Sequence, residues 1–403
     1  MKFSVLLPTR NRLDLLARAI ETVRRQDYEN WEIIVSDNFS EEDVAGYIQS
    51  LADPRIKYFR TESFIPVTDN WNNAIDKSDG DYVIMLGDDD GLMKGYFSTL
   101  SGLISKFDAP DFIYTNAFLY AYPNVMPGVP EGFLRTYSCR DMFKSAHEPY
   151  WLGKDKAMEL VQHSLNFRVM FDYNMQFSLV SRRLIEEMKQ YGSFYQSPYP
   201  DYYASNAMLL EAKRILVVPQ PLVTIGISPK SFGFYYFNDA EAKGNTFLQN
   251  LPNRVMVKRL QDVLLPGPDM NTSWLISMET LAMNFSRKYD LRVQYERYRY
   301  IQICTVMAGI LTRKAGARKL YGQLKEKLTS AEWIFYALPS SLIAMIPVKR
   351  LRLTLANRVL LSAGSHPTIH MPKVEGKFRT MLDVFEQVDP ALYVEKVHKE
   401  ADQ

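Results

Sequence analysis

At 403 residues, with 47% hydrophobic and 23% charged side chains, the chain has the composition of a soluble globular protein long enough for two domains. A formal net charge of +2 argues against wholesale nucleic-acid binding, and no run reaches the ~18 consecutive apolar residues of a membrane-spanning helix. The two cysteines, Cys139 and Cys304, lie far apart and match no metal-ligand spacing, so they are expected as buried thiols in a reducing compartment. The opening MKFSVLLPTR is not read as a signal peptide, because its apolar run is short and stops at Pro8.

Residues 3–7 are continuously apolar, the pattern of a strand buried on both faces of a parallel sheet. Leu13, Leu16, Ile20 and Val23 then recur at helical spacing, with Asp14 and Arg18 placed for an i,i+4 pair on the outer face. A second apolar run, 31–36, ends at Asp37-Asn38 and completes a β-α-β unit of a doubly wound sheet. Residues 55–60 predict a third strand and 71–77 a helix. Gly80-Asp81 turns into a strand over 82–86.

Polar groups fall at the strand ends: Thr9, Arg10 and Asn11; then Asp37 and Asn38; then Asp88, Asp89 and Asp90. In a parallel sheet these share one edge, the edge where open α/β sheets bind ligands. Three adjacent carboxylates repel one another. The triplet therefore points to a divalent cation carrying a phosphorylated substrate, with a solvated acidic turn as the plain alternative. Pro8-Thr9-Arg10-Asn11-Arg12 has no glycine, which excludes a G-x-G-x-x-G dinucleotide fingerprint, and no G-x-x-x-x-G-K-[ST] loop occurs.

SVLLPTRNR at 4–12, EIIVSDNFSEED at 32–43, DNWNNAIDKSDGDYVIMLGDDD at 69–90 and the isolated Asp201 in SPYPDYY together resemble glycosyltransferase family 2. The resemblance covers about 230 residues and rests on joint occurrence rather than on one motif. It implies an α/β GT-A-type fold, a Rossmann-like, mostly parallel sheet sandwiched by helices, and an inverting transfer from a nucleotide-diphosphate sugar.

By the same resemblance Pro8, Thr9 and Arg10 lie beside the nucleoside, Asp37 contacts the base, usually uracil, and Asn70 and Asn72 pack beside the donor. Asp88, Asp89 and Asp90 match the DxD position that holds Mn²⁺ or Mg²⁺ on the diphosphate. Gly87 stands where many relatives have the first Asp, and Asp89 is the favoured direct ligand. Asp201 matches the general base, although the common Glu-Asp is here Pro200-Asp201. The plain reading of Asp201 is a helix-start carboxylate. Relatives often carry a basic residue after the next strand; Lys230 and Ser231 are the candidates to face the phosphates, with the Gly233 region as a lid.

Aromatics are dense between the triplet and Asp201. Most suit a core, while Tyr150 and Trp151 are the pair to stack on an acceptor sugar. From about residue 240 the pattern turns helical, and residues 287–327 hold eleven Lys/Arg against three Asp/Glu. Two apolar segments flank Pro339-Ser340-Ser341 and are followed by Lys349-Arg350-Leu351-Arg352. They predict either an element lying in a membrane surface or a helical subdomain packed on its own chain or on a second copy.

The sequence thus predicts a catalytic domain over 1–235 (nucleotide-sugar side 1–100, acceptor side 101–235) and a mainly α-helical domain over 236–403, with a surface or oligomerisation element near 331–352. The expected activity is metal-dependent glycosyl transfer, hexosyl or N-acetylhexosaminyl, from a UDP-sugar to a glycan or lipid-linked acceptor in polysaccharide or glycoconjugate synthesis. The expected location is the cytoplasm, peripheral on the inner membrane face. A nucleotidyltransferase and a non-catalytic sugar-nucleotide-binding scaffold are the competing readings.

Overall fold

The computed structural model describes residues 1–137, 140–143, 146–231, 254–312, 314, 316–348, 351, 354–355 and 373–394. By internal packing the chain forms two units, one of 1–161, 171–250 and 369–403, the other of 162–170 and 251–368.

The first unit is built on a mixed sheet with helices, ten strands among the described residues. The main path runs β3-β2-β1-β4-β9-β6-β10-β5. Strands β1 (Phe3–Thr9), β2 (Trp31–Asp37), β3 (Ile56–Arg60) and β4 (Tyr82–Met85) are parallel neighbours. Strand β9 (Ser178–Ser181) is antiparallel to both β4 and β6 (Phe112–Ala121). The long strand β10 (Ile215–Ile227) then runs parallel to β6. Short strands β5 (Gly91–Leu92), β7 (Phe133–Thr136) and β8 (Tyr150–Leu152) pair antiparallel at β10 and β6. The parallel pairs carry most of the paired length, so the sheet is mostly parallel and GT-A-like, as the sequence predicts.

Strands β1 and β2 are buried almost throughout, because helices cover both faces of the sheet. Helix α1 (Leu13–Arg24) turns Leu15, Leu16, Ala19, Ile20 and Val23 inward. Burying each such Leu or Ile is worth roughly 1.5–3 kcal/mol. Its outer Asp14 and Arg18 lie 3.5 Å apart. The expected helix over 71–77 is α3 (Val67–Asp76), which begins a turn earlier because Pro66 can precede a helix but not sit inside one. Phe112, Tyr114, Phe118, Tyr120 and Tyr122 are core residues.

Residues 369–403, which a single cut at 236 would assign to the helical part, belong to the first unit. The helix Met381–Gln387 has a Thr380–Asp383 capping box, and its Met381 fills the space a side chain at Gly91 would need. Glu386 bonds Arg25 at 2.7 Å, and the Tyr120 hydroxyl donates to the Phe378 carbonyl at 3.2 Å.

The described part of the second unit is mainly helical. Its longer helices are Asp269–Asn284 and Tyr295–Thr312. One core joins Met256, Leu260, Leu275, Ile276 and Tyr298; another joins Leu265, Ile303, Val306, Met307 and Leu324. Cys304 is buried here, as expected, and Cys139 lies outside the described residues.

Candidate active site

Strands β1, β2 and β4 end at one edge of the sheet, and the polar strand ends meet there. Thr9 closes β1 and donates its hydroxyl to Asp88 Oδ2 at 2.7 Å. Arg12, one residue before α1, donates from Nη1 to Asp88 Oδ1 at 2.8 Å. Both Asp88 oxygens are therefore engaged, and the pair is almost wholly buried.

Asp89 is placed differently. Its Oδ2 accepts from the Ser228 hydroxyl at 2.8 Å, while Oδ1 stands 4.0 Å from Arg12 Nη1, beyond hydrogen-bond reach. Burial pushes its pKa up, with Arg12 opposing and Asp88 adding to the rise. Asp90 is enclosed: Oδ1 accepts from the Gly226 amide at 2.7 Å, and Oδ2 from the Gly87 amide at 2.9 Å and Gln176 Nε2 at 2.7 Å. Burial, then the charge of Asp89, pushes its pKa up to about 8 against the pull of those three donors.

Two glycines make this packing possible. A Cβ on Gly87 would lie 2.5 Å from Asp90 Oδ2, so an aspartate cannot stand there while Asp90 turns inward. A Cβ on Gly226 would lie 2.0 Å from the Asp89 carbonyl, which fixes how closely β10 approaches the acidic turn.

Among the described residues, Asp89 is the carboxylate of the triplet that could hold a divalent cation. Among the described residues no three His, Cys, Asp or Glu side chains gather as a preformed metal cage. Asp88 and Asp90 have their oxygens filled by protein donors, whereas Asp89 keeps Oδ1 without a hydrogen bond. One carboxylate, completed by phosphate oxygens and water, is the usual coordination of Mg²⁺-like ions beside a nucleotide.

Asp37 lies at the end of β2, buried, and accepts from the Ser40 amide at 2.9 Å and the Tyr58 hydroxyl at 2.7 Å. Beside it opens a cavity of about 550 Å³ whose lining includes Arg10, Phe39, Tyr58, Arg60 and Phe64. The Arg10 guanidinium stacks 3.5 Å from the Phe64 ring. Lys230 is exposed; its Nζ donates to the Asn11 carbonyl at 2.8 Å, and its own carbonyl accepts from Arg12 Nη2. It thus ties the segment after β10 to the loop after β1. Ser231 is buried and donates to the Ser228 carbonyl at 3.0 Å, and Gly233 lies outside the described residues.

Asn70 and Asn72 act as braces. Asn70 is buried and exchanges hydrogen bonds with Ser36 at the end of β2. Asn72 makes two bonds to the Tyr195 backbone, 2.9 and 3.0 Å, and Thr68 donates to the Ser197 carbonyl at 2.7 Å. These contacts hold the segment that leads into α8 (Pro200–Glu211). Asp201 sits in the first turn of α8, partly accessible yet closely surrounded by protein. Burial pushes its pKa up to about 7, against the Tyr202 amide that donates to it at 3.1 Å. Helix α8 packs on the short turn Met175–Phe177, whose Gln176 reaches Asp90. On that turn's approach Asp172 has Oδ2 without a partner among the described residues, and burial pushes its pKa up to about 7.

Tyr150 and Trp151 do not join this edge. Tyr150 donates its hydroxyl to the Met142 carbonyl. Trp151 is exposed and lines a hollow of about 510 Å³ with Lys106, Phe107 and Lys213, where β6 and β10 begin. The aspartates follow the opposite, carboxyl end of β4.

Arg12, Ser228, Gln176 and Tyr58 are the site residues that sequence reasoning did not single out. Arg12 had a signal, as a cation in the loop at the edge that gathers the aspartates. The other three had none, since each meets its partner only through folding.

The Glycosyl transferase family 2 description matches residues 4–126. The chain is 43% identical over 102 residues to GalNAc(5)-diNAcBac-PP-undecaprenol beta-1,3-glucosyltransferase of Campylobacter jejuni, covering 25% of this chain and 33% of that protein. It is 32% identical over 148 residues to the putative colanic acid biosynthesis glycosyl transferase WcaA of Escherichia coli, covering 35% and 52%. These alignments span a third and about half of the relatives' own lengths. The solved structure of S. aureus TarS 1-349 in complex with UDP overlies 94% of this chain and 98% of that one, at 17% identity and a TM-score of 0.44. With that family match over β1 to β6 and the polar strand ends gathered at one sheet edge, residues 4–126 of this chain form a glycosyl transferase family 2 domain.

Proposed function

We propose that this chain is an inverting glycosyltransferase. It takes a hexosyl or N-acetylhexosaminyl group from a UDP-sugar and places it on a hydroxyl of a glycan or lipid-linked acceptor. The single observation that carries the reading is Asp89: one carboxylate with a free oxygen, flanked by the Arg12–Asp88 pair, at the edge where a nucleoside-sized cavity opens beside Asp37. The name of the Campylobacter relative, a glucosyltransferase on an undecaprenol-linked substrate, suggests the same acceptor class.

In this reading Asp37 accepts the imide N–H of uracil, and Arg10, Phe39 and Phe64 wall the base. Lys230 and the loop Pro8-Thr9-Arg10 face the diphosphate. Asn70 and Asn72 support the donor side indirectly, as braces. Mn²⁺ or Mg²⁺ at Asp89 Oδ1 would supply Lewis-acid neutralisation of the departing UDP. Asp88, held by Thr9 and Arg12, and Asp90, held by main-chain amides, shape the turn that presents Asp89.

Asp201 is the general base. The acceptor oxygen attacks the anomeric carbon from the face opposite the diphosphate, and a new C–O bond forms. The C–O bond to the diphosphate breaks with its electrons on UDP, and the acceptor proton passes to Asp201. A carboxylate whose pKa lies near 7 is matched to that proton transfer at neutral pH.

Thermal unfolding with a panel of nucleotide diphosphates, with and without Mn²⁺, tests the reading. UDP with Mn²⁺ should raise the midpoint most; a ligand at 100 times its Kd adds about 2.7 kcal/mol. If no nucleotide diphosphate stabilises the chain in either condition, the donor site is refuted. If UDP binds but no UDP-sugar is turned over with any acceptor or with water, the non-catalytic reading replaces it.

A further inference from the structure

Asp172 is a carboxylate that the fold holds in place and leaves unanswered. It stands before the turn Met175–Phe177, closely surrounded by protein yet partly accessible. Its Oδ2 is sealed from solvent without a partner, and among the described residues no donor reaches Oδ1 either. Its main chain, by contrast, is clamped. The Tyr114 hydroxyl donates to the Asp172 carbonyl at 2.9 Å and accepts from the Asp172 amide at 3.1 Å. Tyr114 in turn stacks on Phe177, with ring centroids 5.4 Å apart and planes at 12°. An enclosed polar group without a hydrogen bond costs free energy, more so when it is charged. A carboxylate kept in that condition points to a ligand.

Tyr137 packs edge-on against the same Phe177 ring, centroids 5.2 Å apart and planes at 84°. It is partly accessible, and its hydroxyl has no hydrogen-bond partner among the described residues. Burial raises its pKa well above the ordinary 10, and the charge of Asp172 is the next contribution, yet no hydrogen bond joins the two side chains. An acceptor and a donor thus stand near one another, too far apart to bond. A sugar hydroxyl both donates and accepts, so it satisfies the two groups at once. A phosphate would be repelled by Asp172, and an apolar group would answer neither side chain.

The segment from Asp172 to Phe177 also touches both sides of the proposed reaction. Toward one end Gln176 donates to Asp90 at 2.7 Å. Toward the other the Tyr173 ring meets Tyr202 edge-on, with centroids 4.7 Å apart. Tyr202 follows Asp201, the proposed base, in the first turn of α8. An acceptor must lie between the donor sugar and the base, and this segment links the two.

We infer that Asp172 and Tyr137 hold one hydroxyl of the acceptor sugar, other than the one that attacks, with Asp172 accepting from it and Tyr137 donating to it. The pair selects the acceptor and takes no part in bond making. The inference rests on the transfer proposed above, and its test separates the two.

Saturation-transfer NMR reads acceptor binding without turnover. The probes are the methyl glycosides of glucose, galactose, N-acetylglucosamine and N-acetylgalactosamine, each with UDP and Mn²⁺ present. At least one should bind the wild-type chain. Removing one particular ring hydroxyl from that glycoside should weaken it about ten- to a hundredfold, the range for a hydrogen bond to a charged group. Asp172→Asn and Tyr137→Phe should each weaken the parent glycoside by roughly tenfold and leave the affinity of the deoxy analogue unchanged. UDP affinity, by isothermal titration, and the unfolding midpoint at pH 6 should stay near wild type in both variants. A merely structural role would not distinguish the glycoside from its deoxy analogue. Parent and deoxy glycosides that respond equally to the substitutions overturn the inference, as does a wild-type chain that binds UDP but none of the four glycosides. A wild-type chain that binds no UDP fails at the donor site instead; the transfer reading then falls, and this inference with it.

Discussion

Arg12 Nη1 lies 2.8 Å from Asp88 Oδ1, an ion pair across 76 residues of sequence with both side chains nearly buried. It pins the start of α1 to the acidic turn after β4, so the two halves of the site share one frame. Arg12→Ala should strip Asp88 of its counter-charge and lower stability by about 3 kcal/mol, the cost of orphaning one member of a buried pair. Thermal unfolding reads this directly. A shift of less than a degree or two would mean that water already solvates Asp88.

The division of labour within the triplet is testable by two substitutions. Asp89→Asn should weaken Mn²⁺-dependent UDP binding about tenfold or more, with little change in the unliganded unfolding midpoint. Asp90→Asn turns a donor toward the amides of Gly87 or Gly226, or toward Gln176, and should cost about 1–3 kcal/mol of stability. Isothermal titration and thermal unfolding separate the effects. The opposite pattern would assign the ion to Asp90.

Transfer should depend on the protonation of Asp201. Its pKa is raised to about 7, so the base form is scarce below that pH and complete above it. The kcat/KM profile should rise with a midpoint near 7, and Asp201→Asn should abolish turnover while leaving UDP affinity unchanged. A pH-independent rate, or turnover by the Asn variant, excludes Asp201 as base.

Asn72 should act through position alone. Asn72→Ala removes both bonds to the Tyr195 backbone and loosens the segment entering α8. The expected result is a drop in kcat of roughly tenfold or more, since small misplacements of a catalytic group are costly. UDP affinity should stay near wild type. A change confined to KM for the donor would instead put Asn72 in the nucleotide site.

Stability should fall as pH rises through neutrality. Asp90, Asp172 and Asp201 have folded-state pKa values raised to about 8, 7 and 7 from an ordinary 3.8. The folded chain therefore holds protons that the unfolded chain has lost. Their contribution is full below pH 4 and disappears as pH climbs to about 8. Urea unfolding of the unliganded chain at pH 6 and pH 8.5 should show the lower midpoint at pH 8.5, and Asp172→Asn should narrow the gap. A midpoint that rises over this range would contradict the raised values.

How far the sequence reached differs from element to element. Runs such as 3–7 and 31–36 fixed strands β1 and β2 to within two residues, because strands buried on both faces must be continuously apolar. The same periodicity put Asp37 and Asp88 to Asp90 at strand ends, hence on one edge. Nothing comparable marked the place of Trp151: an exposed aromatic in a short strand carries no sign of which end of the sheet it faces.

By itself, then, the sequence determined the parallel β-α-β core, the family of the domain over residues 4–126 and the edge where the polar groups gather, since those follow from local periodicity and motif order. Only tertiary structure decided which aspartate keeps a free oxygen. Asp88 is filled from Thr9 and Arg12, Asp90 from Gly87, Gly226 and Gln176, while Asp89 accepts from the Ser228 side chain at Oδ2 and, among the described residues, meets Arg12 at Oδ1 only at 4.0 Å. Most of those partners lie 76 to 139 residues away. Three identical neighbours in sequence acquire three different roles because carboxylate chemistry is set by the donors that surround it, and only the fold supplies them.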